Sequence, residues 1–267
     1  MLACDQVLND VRPDPVRPAR SGGHEGTVAF VEISRIETEE DRERLLDFGQ
    51  RPHTFSTLVI HNGDFRPRPD YLEALAQSFS RVFAVNVIDE SAHVRALPIG
   101  LPNFHHHGAS ILEPHIAAWA STAHGGLRSA GRSLPVLASF RCGTNRDQRV
   151  PLAELCTRRG FPNQEISSRD LFAALDRSLF VLSPPGNGPD CHRTWEAIYH
   201  GAVPVVLRGH LAPRFIDQLP IHVVDDWDEV LDRTTSELQS LFDELTNRPR
   251  RLASMQHWIE TFRRATS

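Results

Sequence analysis

The chain has 267 residues, about 1.8 times the usual single-domain length, which allows one large domain or two small ones. Basic residues number 29 and acidic ones 34, and the net charge of −5 argues against a nucleic-acid partner held by bulk phosphate attraction. Hydrophobic residues at 40% and charged residues at 24% exclude disordered, collagen-like and coiled-coil classes. No apolar run approaches the ~20 residues of a membrane span.

Residues 1–26 are rich in Pro, Arg and Gly and read as a loose arm or partly docked strand. Acids and prolines stand where a secretory signal needs an apolar run, so the chain reads as cytoplasmic. Cys4, Cys142, Cys156 and Cys191 are widely spaced without a C-x-x-C pair. They read as free thiols rather than a disulfide framework or zinc knuckle.

Beyond the arm, apolar runs and amphipathic stretches alternate. Strands are predicted over 27–33, 57–61, 81–87 and 95–99, with helices over 39–48 and 69–80. The loop over 102–108 carries His105, His106 and His107; adjacent histidines cannot easily face one ion, and a polar loop is the better reading. A helix over 111–120 leads into a Gly/Ser-rich stretch, 121–133, predicted to be a linker. The alternation then restarts: strands over 134–140, 179–182, 203–207 and 221–224; helices over 150–159, 190–200, 236–245 and 249–264. Ser167 with Asp170 opens a further helix through Ser178 by a capping box. This order predicts an α/β protein of two Rossmann-like units with parallel sheets. The expected division is 1–130 and 131–267, the first unit being the reduced one.

The most informative segment is SPPGNGPD, residues 183–190, between a continuously apolar strand and a helix. Loops at the carboxyl ends of parallel strands are where open α/β sheets bind ligands. Gly186 and Gly188, around Asn187, let backbone N–H groups approach an anion, and Asp190 is the expected N-cap of the helix behind them. On that helix Arg193 and Glu196 lie one turn apart. A cation followed by a carboxylate suits a diphosphate followed by a ribose diol. The competing reading is a surface i,i+3 pair worth ~0.2–0.5 kcal/mol.

The run FVLSPPGNGPDCHRTWEAIYHGAVPVVL, residues 180–207, closely resembles the exostosin-like glycosyltransferases. More loosely it resembles the nucleotide-sugar half of other two-Rossmann (B-type, GT-B) transferases, including fucosyltransferases. Their arginine, glutamate and Gly-x-x-Pro-Val-Val pattern maps onto Arg193, Glu196, Gly201, Pro204, Val205 and Val206. The likeness extends weakly back through SFRCGTNRDQR, residues 139–149, and forward to Asp225–Asp228. It implies transfer of a sugar from a nucleoside-diphosphate donor, UDP- or GDP-linked, to a hydroxyl acceptor such as a glycan. The donor would lie in the second unit, without a metal or other cofactor. The alternative is an inactive nucleotide-sugar- or carbohydrate-binding protein.

Arg141, Asn145, Arg146 and Arg149 follow the 134–140 strand, and Arg141 and Asn145 are the favoured additions to a phosphate clamp. An inverting transfer needs a general base. His61 and Asp64 end one apolar strand of the first unit and are the candidates, with Asp89 and Glu90 at the end of another. Asp226 and Asp228 imitate an Asp-x-Asp metal motif but read as helix caps. A His192–Glu196–His200 stripe would suit a metal hydrolase, in competition with the nucleotide role of Glu196.

Overall fold

The computed structural model describes residues 6–7, 28–102, 109–125, 129 and 131–264. Most of the N-terminal arm, Cys4, and His105, His106 and His107 lie outside the described residues. The chain divides into two compact units, Met1–Ile99 with Ser254–Ser267, and Gly100–Ala253.

The first unit holds a wholly parallel sheet in chain order, β1 (Gln6–Val7), β2 (Val28–Glu32), β3 (Thr57–His61), β4 (Arg81–Val85) and β5 (Val94–Leu97). One row across it, Val31, Ile60, Ala84 and Ala96, is buried, as expected of a sheet whose crossovers cover it. Helix α1 (Glu39–Gln50) starts at Thr38, whose hydroxyl accepts from the Asp41 N–H. Helix α2 (Pro69–Leu75) starts at a proline, whose missing N–H costs nothing there.

The second unit begins with α3 (Ala109–Gly125) and holds the parallel sheet β6 (Leu134–Leu137), β7 (Ser178–Leu182), β8 (Val203–Leu207) and β9 (His222–Val224). Its helices are α4 (Arg146–Arg158), α5 (Ser168–Arg177), α6 (His192–Tyr199), α7 (Pro213–Gln218), α8 (Asp228–Leu231) and α9 (Thr235–Leu245). Alternation along the strands divides the core. Leu137 and Val181 face Leu171, Leu175 and Ala197 on one side of the sheet. Val136, Phe180, Leu182 and Val205 face Leu152, Cys156, Leu238 and Phe242 on the other. With both faces covered, every residue of β7 is buried, which is why its sequence is a continuous apolar run.

The α/β class with two parallel sheets is therefore as expected, but three details differ. First, α3 runs through the predicted start of the linker, because the Ser121 and Thr122 hydroxyls turn back onto the Ala118 carbonyl, each at 2.9 Å, instead of loosening the turn. The second unit accordingly starts at Gly100 rather than near residue 131. Second, the final helix, α10 (Met255–Arg264), belongs to the first unit, where Trp258 and Phe262 meet the Phe83 ring edge-on. That unit is the shorter of the two, as expected, although among the described residues its sheet has five strands against four. Third, strand order follows the chain in both sheets, so neither shows the order reversal that marks the ligand crevice of a dinucleotide fold. The site must be located from its own residues.

Candidate functional site

Two loops meet beyond the carboxyl ends of β6 and β7. The second, residues 183–190, is held by side chains from the first. Arg149 on α4 donates from Nε to the Pro185 carbonyl at 2.9 Å and from Nη2 to the Pro184 carbonyl at 2.8 Å. Its Nη1 reaches the Arg141 carbonyl at 2.9 Å and the Thr144 hydroxyl at 2.6 Å. Asn145 donates to the Pro185 and Gly186 carbonyls at 3.3 and 3.2 Å. Prolines carry no N–H and cannot close such a loop by themselves, so a buried guanidinium closes it for them. A Cβ at position 186 would lie 3.1 Å from Arg149 Nη2, so any larger residue there would push on the guanidinium that holds the loop.

The phosphate-clamp candidates thus separate. Arg149 and Asn145 spend their donors on the loop; Arg141 and Arg146 are exposed. The Cys191 thiol is also part of the loop, accepting from the Gly186 N–H at 3.2 Å and donating to the Pro184 carbonyl at 3.3 Å. Burial, with Asp190 beside it, pushes this thiol up to about 11.

Helix α6 follows, with Cys191 at its N-cap position and no side-chain cap. Asp190, the expected cap, instead accepts from the indole N–H of fully buried Trp195 at 2.8 Å. A buried indole needs that acceptor more than the helix end needs a cap. The helix stops at Gly201, φ +72°, where the N–H of Ala202 returns to the Ala197 carbonyl and that of Gly201 to Ile198. This Schellman closure turns the chain directly into β8.

Arg193 and Glu196 are an i,i+3 pair, as their spacing requires, but not a surface one. Arg193 Nε lies 3.1 Å from Glu196 Oε2, with the side chains 20% and 9% exposed. The Nε–H does not point along that contact, and both Nε and Nη1 are buried without a hydrogen bond. Burial lowers the Arg193 pKa, with Glu196 acting against the shift. Of two neighbouring buried arginines, one is saturated by the protein and the other has unspent donors.

Behind Glu196 stands a chain of polar side chains that local sequence spacing does not join. His115 on α3 is fully buried, and its Nε2 is 3.9 Å from Glu196 Oε1. Its Nδ1 meets His200 Nε2 at 2.9 Å, and His200 Nδ1 meets Asp176 Oδ1 at 2.7 Å. These contacts occupy both ring nitrogens of His200. His192 Nδ1 bonds the Gly100 carbonyl at 2.7 Å. The His192–Glu196–His200 stripe is therefore committed to other partners. Among the described residues no group of three or more His, Cys, Asp or Glu side chains is placed to hold a metal ion.

In the first unit His61 Nε2 bonds the Pro98 carbonyl at 3.0 Å and Nδ1 meets the Asn62 side chain at 3.1 Å, while Asp64 is exposed on the turn beyond. Both partners, the Pro98 carbonyl and Asn62 Oδ1, are oxygens that only accept, so a neutral ring can donate to one of them at a time. Glu90 accepts from the Ala96 N–H, and Asp89 lies 3.9 Å from Arg66. Asp226 accepts from the Asp228 N–H at 3.0 Å at the start of α8, whereas the Asp228 side chain pairs with Arg159 and caps nothing.

Among solved structures, one match is an alpha-glucosyltransferase in complex with UDP-glucose and DNA containing an abasic site. It aligns at a TM-score of 0.41 and 10% identity, over 91% of this chain and 81% of that one. No family model and no curated protein matches. Likeness of this degree says nothing about chemistry, which has to come from the residues themselves.

Proposed function

We propose that the chain is a glycosyltransferase of exostosin-like, two-Rossmann type. It would move a sugar from a nucleoside-diphosphate donor, UDP- or GDP-linked, to a hydroxyl acceptor such as a glycan. The observation that carries this reading is Arg193: a buried cation with two unbonded nitrogens, at the start of a helix and beside a glycine loop that other side chains hold in place. Arg193 already faces the Glu196 carboxylate, but its Nε and Nη1 make no hydrogen bond, and a helix N-terminus favours further negative charge. The motif resemblance over 180–207 supports a diphosphate as that anion.

In this reading Arg193, at the start of α6, takes the diphosphate, and Glu196, one turn on, accepts from the ribose hydroxyls; the Gly186 N–H, expected to reach the anion, is instead given to Gly188 and Cys191. As the glycosidic bond to the acceptor oxygen forms, the donor's bond to the diphosphate breaks and negative charge grows on the leaving group. A preorganised arginine stabilises that charge more than it stabilises the ground state. The base that takes the acceptor proton is assigned to His61 or Asp64 on position alone.

Titration of UDP, GDP and uridine into wild type and Arg193→Gln tests this. Charge-assisted bonds of about 1.5–3 kcal/mol predict roughly 10- to 150-fold weaker diphosphate binding in the variant, with uridine binding unchanged. Equal loss for nucleoside and nucleotide, or no diphosphate binding by wild type, would refute the assignment.

A further inference from the structure

The line Asp176, His200, His115, Glu196 contains three contacts, of 2.7, 2.9 and 3.9 Å. With both imidazoles neutral, two ring protons are available to fill three gaps, and one gap must stay empty. A carboxylate cannot donate, so the 2.7 Å contact requires a proton on His200 Nδ1. His200 Nε2 is then bare and takes the His115 Nδ1 proton at 2.9 Å. The vacancy falls at the longest contact, between His115 Nε2 and Glu196 Oε1, two acceptors facing each other. That nitrogen is also a buried polar atom without a hydrogen bond. The other arrangement has His200 as Nε2–H and His115 as Nε2–H. The His200 Nδ1 proton leaves to Asp176 and water, the His115 Nδ1 proton crosses to His200 Nε2, and a proton enters at His115 Nε2 from the Glu196 side, which relocates the vacancy to the Asp176 end. Asp176 is 56% exposed, so water can fill that end.

We propose that Asp176, His200 and His115 form a two-state proton wire that controls Glu196. With the vacancy inside, Glu196 Oε1 is open to a ligand hydroxyl. With the vacancy at the surface, His115 donates to Glu196 and competes with that hydroxyl. His115 sits on α3, Asp176 on α5, and Glu196, Arg193 and His200 on or at the end of α6; these are the charged and titratable groups that act on the His115 ring. Phe172 of α5 covers both imidazoles, with ring centroids 4.8 Å from His115 and 5.9 Å from His200. Burial holds the His115 pKa down to about 4, with Glu196 opposing, which keeps its ring neutral near pH 7. The wire itself follows from these distances; only the identity of the hydroxyl, a ribose diol, rests on the transferase reading.

Nitrogen-15 NMR of the histidine rings in the full ligand-free chain at pH 7 is the direct test, in wild type and Asp176→Ala. The expected result is Nδ1–H tautomers for both His115 and His200 in wild type, switching to Nε2–H in the variant, because a bare nitrogen is cheaper in water than against Glu196. An imidazolium at either position in wild type, or tautomers that ignore the substitution, overturns the wire. In the same variant UDP or GDP should bind about tenfold more weakly, the size of effect usual for a group acting through a liganding side chain. A tautomer switch with unchanged nucleotide affinity overturns the control of Glu196. Absence of any nucleotide binding by wild type refutes the transferase reading alone and leaves the NMR result to decide the wire.

Discussion

Removal of Arg149 should cost far more stability than removal of Arg193, and the difference can be worked from their contacts. In Arg149→Met the aliphatic stem is kept and five donated bonds are lost, to the carbonyls of Pro185, Pro184 and Arg141, to the Thr144 hydroxyl and, weakly at 3.7 Å, to the Cys191 sulfur. Bonds to a charged donor contribute about 1.5–3 kcal/mol each where both ends are buried, and less toward solvent. Arg141 and Thr144 are exposed and count for little. Pro185 keeps Asn145 as a donor and Pro184 keeps Cys191, so neither buried carbonyl is wholly abandoned. The balance is a loss on the order of 3 kcal/mol, or roughly 6–12 °C in melting temperature for a unit of this size. Arg193→Gln should stay within about 1 kcal/mol of wild type. Its unbonded donors lose nothing, and the relief of an unsatisfied buried cation offsets the cost of leaving Glu196 without its partner. Urea and thermal unfolding of the three proteins at pH 7 read this directly. Arg149→Met unchanged, or Arg193→Gln falling as far, would refute the division into one supporting and one ligand-facing arginine.

Acid should destabilise the protein before its carboxylates titrate. The His115 pKa falls from 6.5 to about 4 on folding, so between these values the unfolded chain binds a proton that the folded chain refuses. Stability present above pH 6.5 is lost as pH falls toward 4, by about 3 kcal/mol from this group. His222, also lowered mainly by burial, adds in the same direction. Melting curves from pH 7 to 4 should be flatter in His115→Leu than in wild type; identical slopes would contradict the buried neutral ring. Thiol labelling at pH 8 of the native chain should modify Cys142 well before Cys191 and Cys156. Burial holds both of the latter near pKa 11, and only the thiolate reacts. Faster labelling of Cys191 than of Cys142 would count against the closed loop.

Local signals in the sequence found most elements of the second unit because there local and tertiary preferences agree. The apolar run of β7, the Ser167 cap and the Gly201 stop each act within a few residues, and each is present. Range defeated the rest. Ser121 and Thr122 have loop-like side chains, but their hydroxyls have a helical carbonyl in reach. Asp190 has the residue type of a cap, and it was claimed by an indole five positions on. In the site, the pair Arg193–Glu196 was legible because a helix fixes its spacing. Arg149 stood among four similar candidates, and its role depended on two proline carbonyls more than thirty residues away. His115 is 85 residues from His200, and no periodicity connects them. One signal was available: a histidine between Pro114 and an apolar helical stretch is a polar group in a position that calls for an apolar one, and such a group needs a buried partner.

The contrast between the two arginines is also what the proposed anion site depends on. A fold that satisfied Arg193 as fully as Arg149 would be more stable and would have no donor left for a ligand. Here the supporting loop is held by a saturated guanidinium, and Arg193 keeps Nε and Nη1 without a hydrogen bond beside the Glu196 carboxylate, whose Oε1 lies 3.9 Å from His115 Nε2. Unsatisfied buried groups destabilise the chain by about 1–3 kcal/mol each, and packing elsewhere in the unit has to offset them. That uneven distribution, with surplus donors on Arg193 and spare acceptor capacity on Glu196 one turn apart, is complementary to a ligand that carries negative charge at one end and hydroxyl protons at the other.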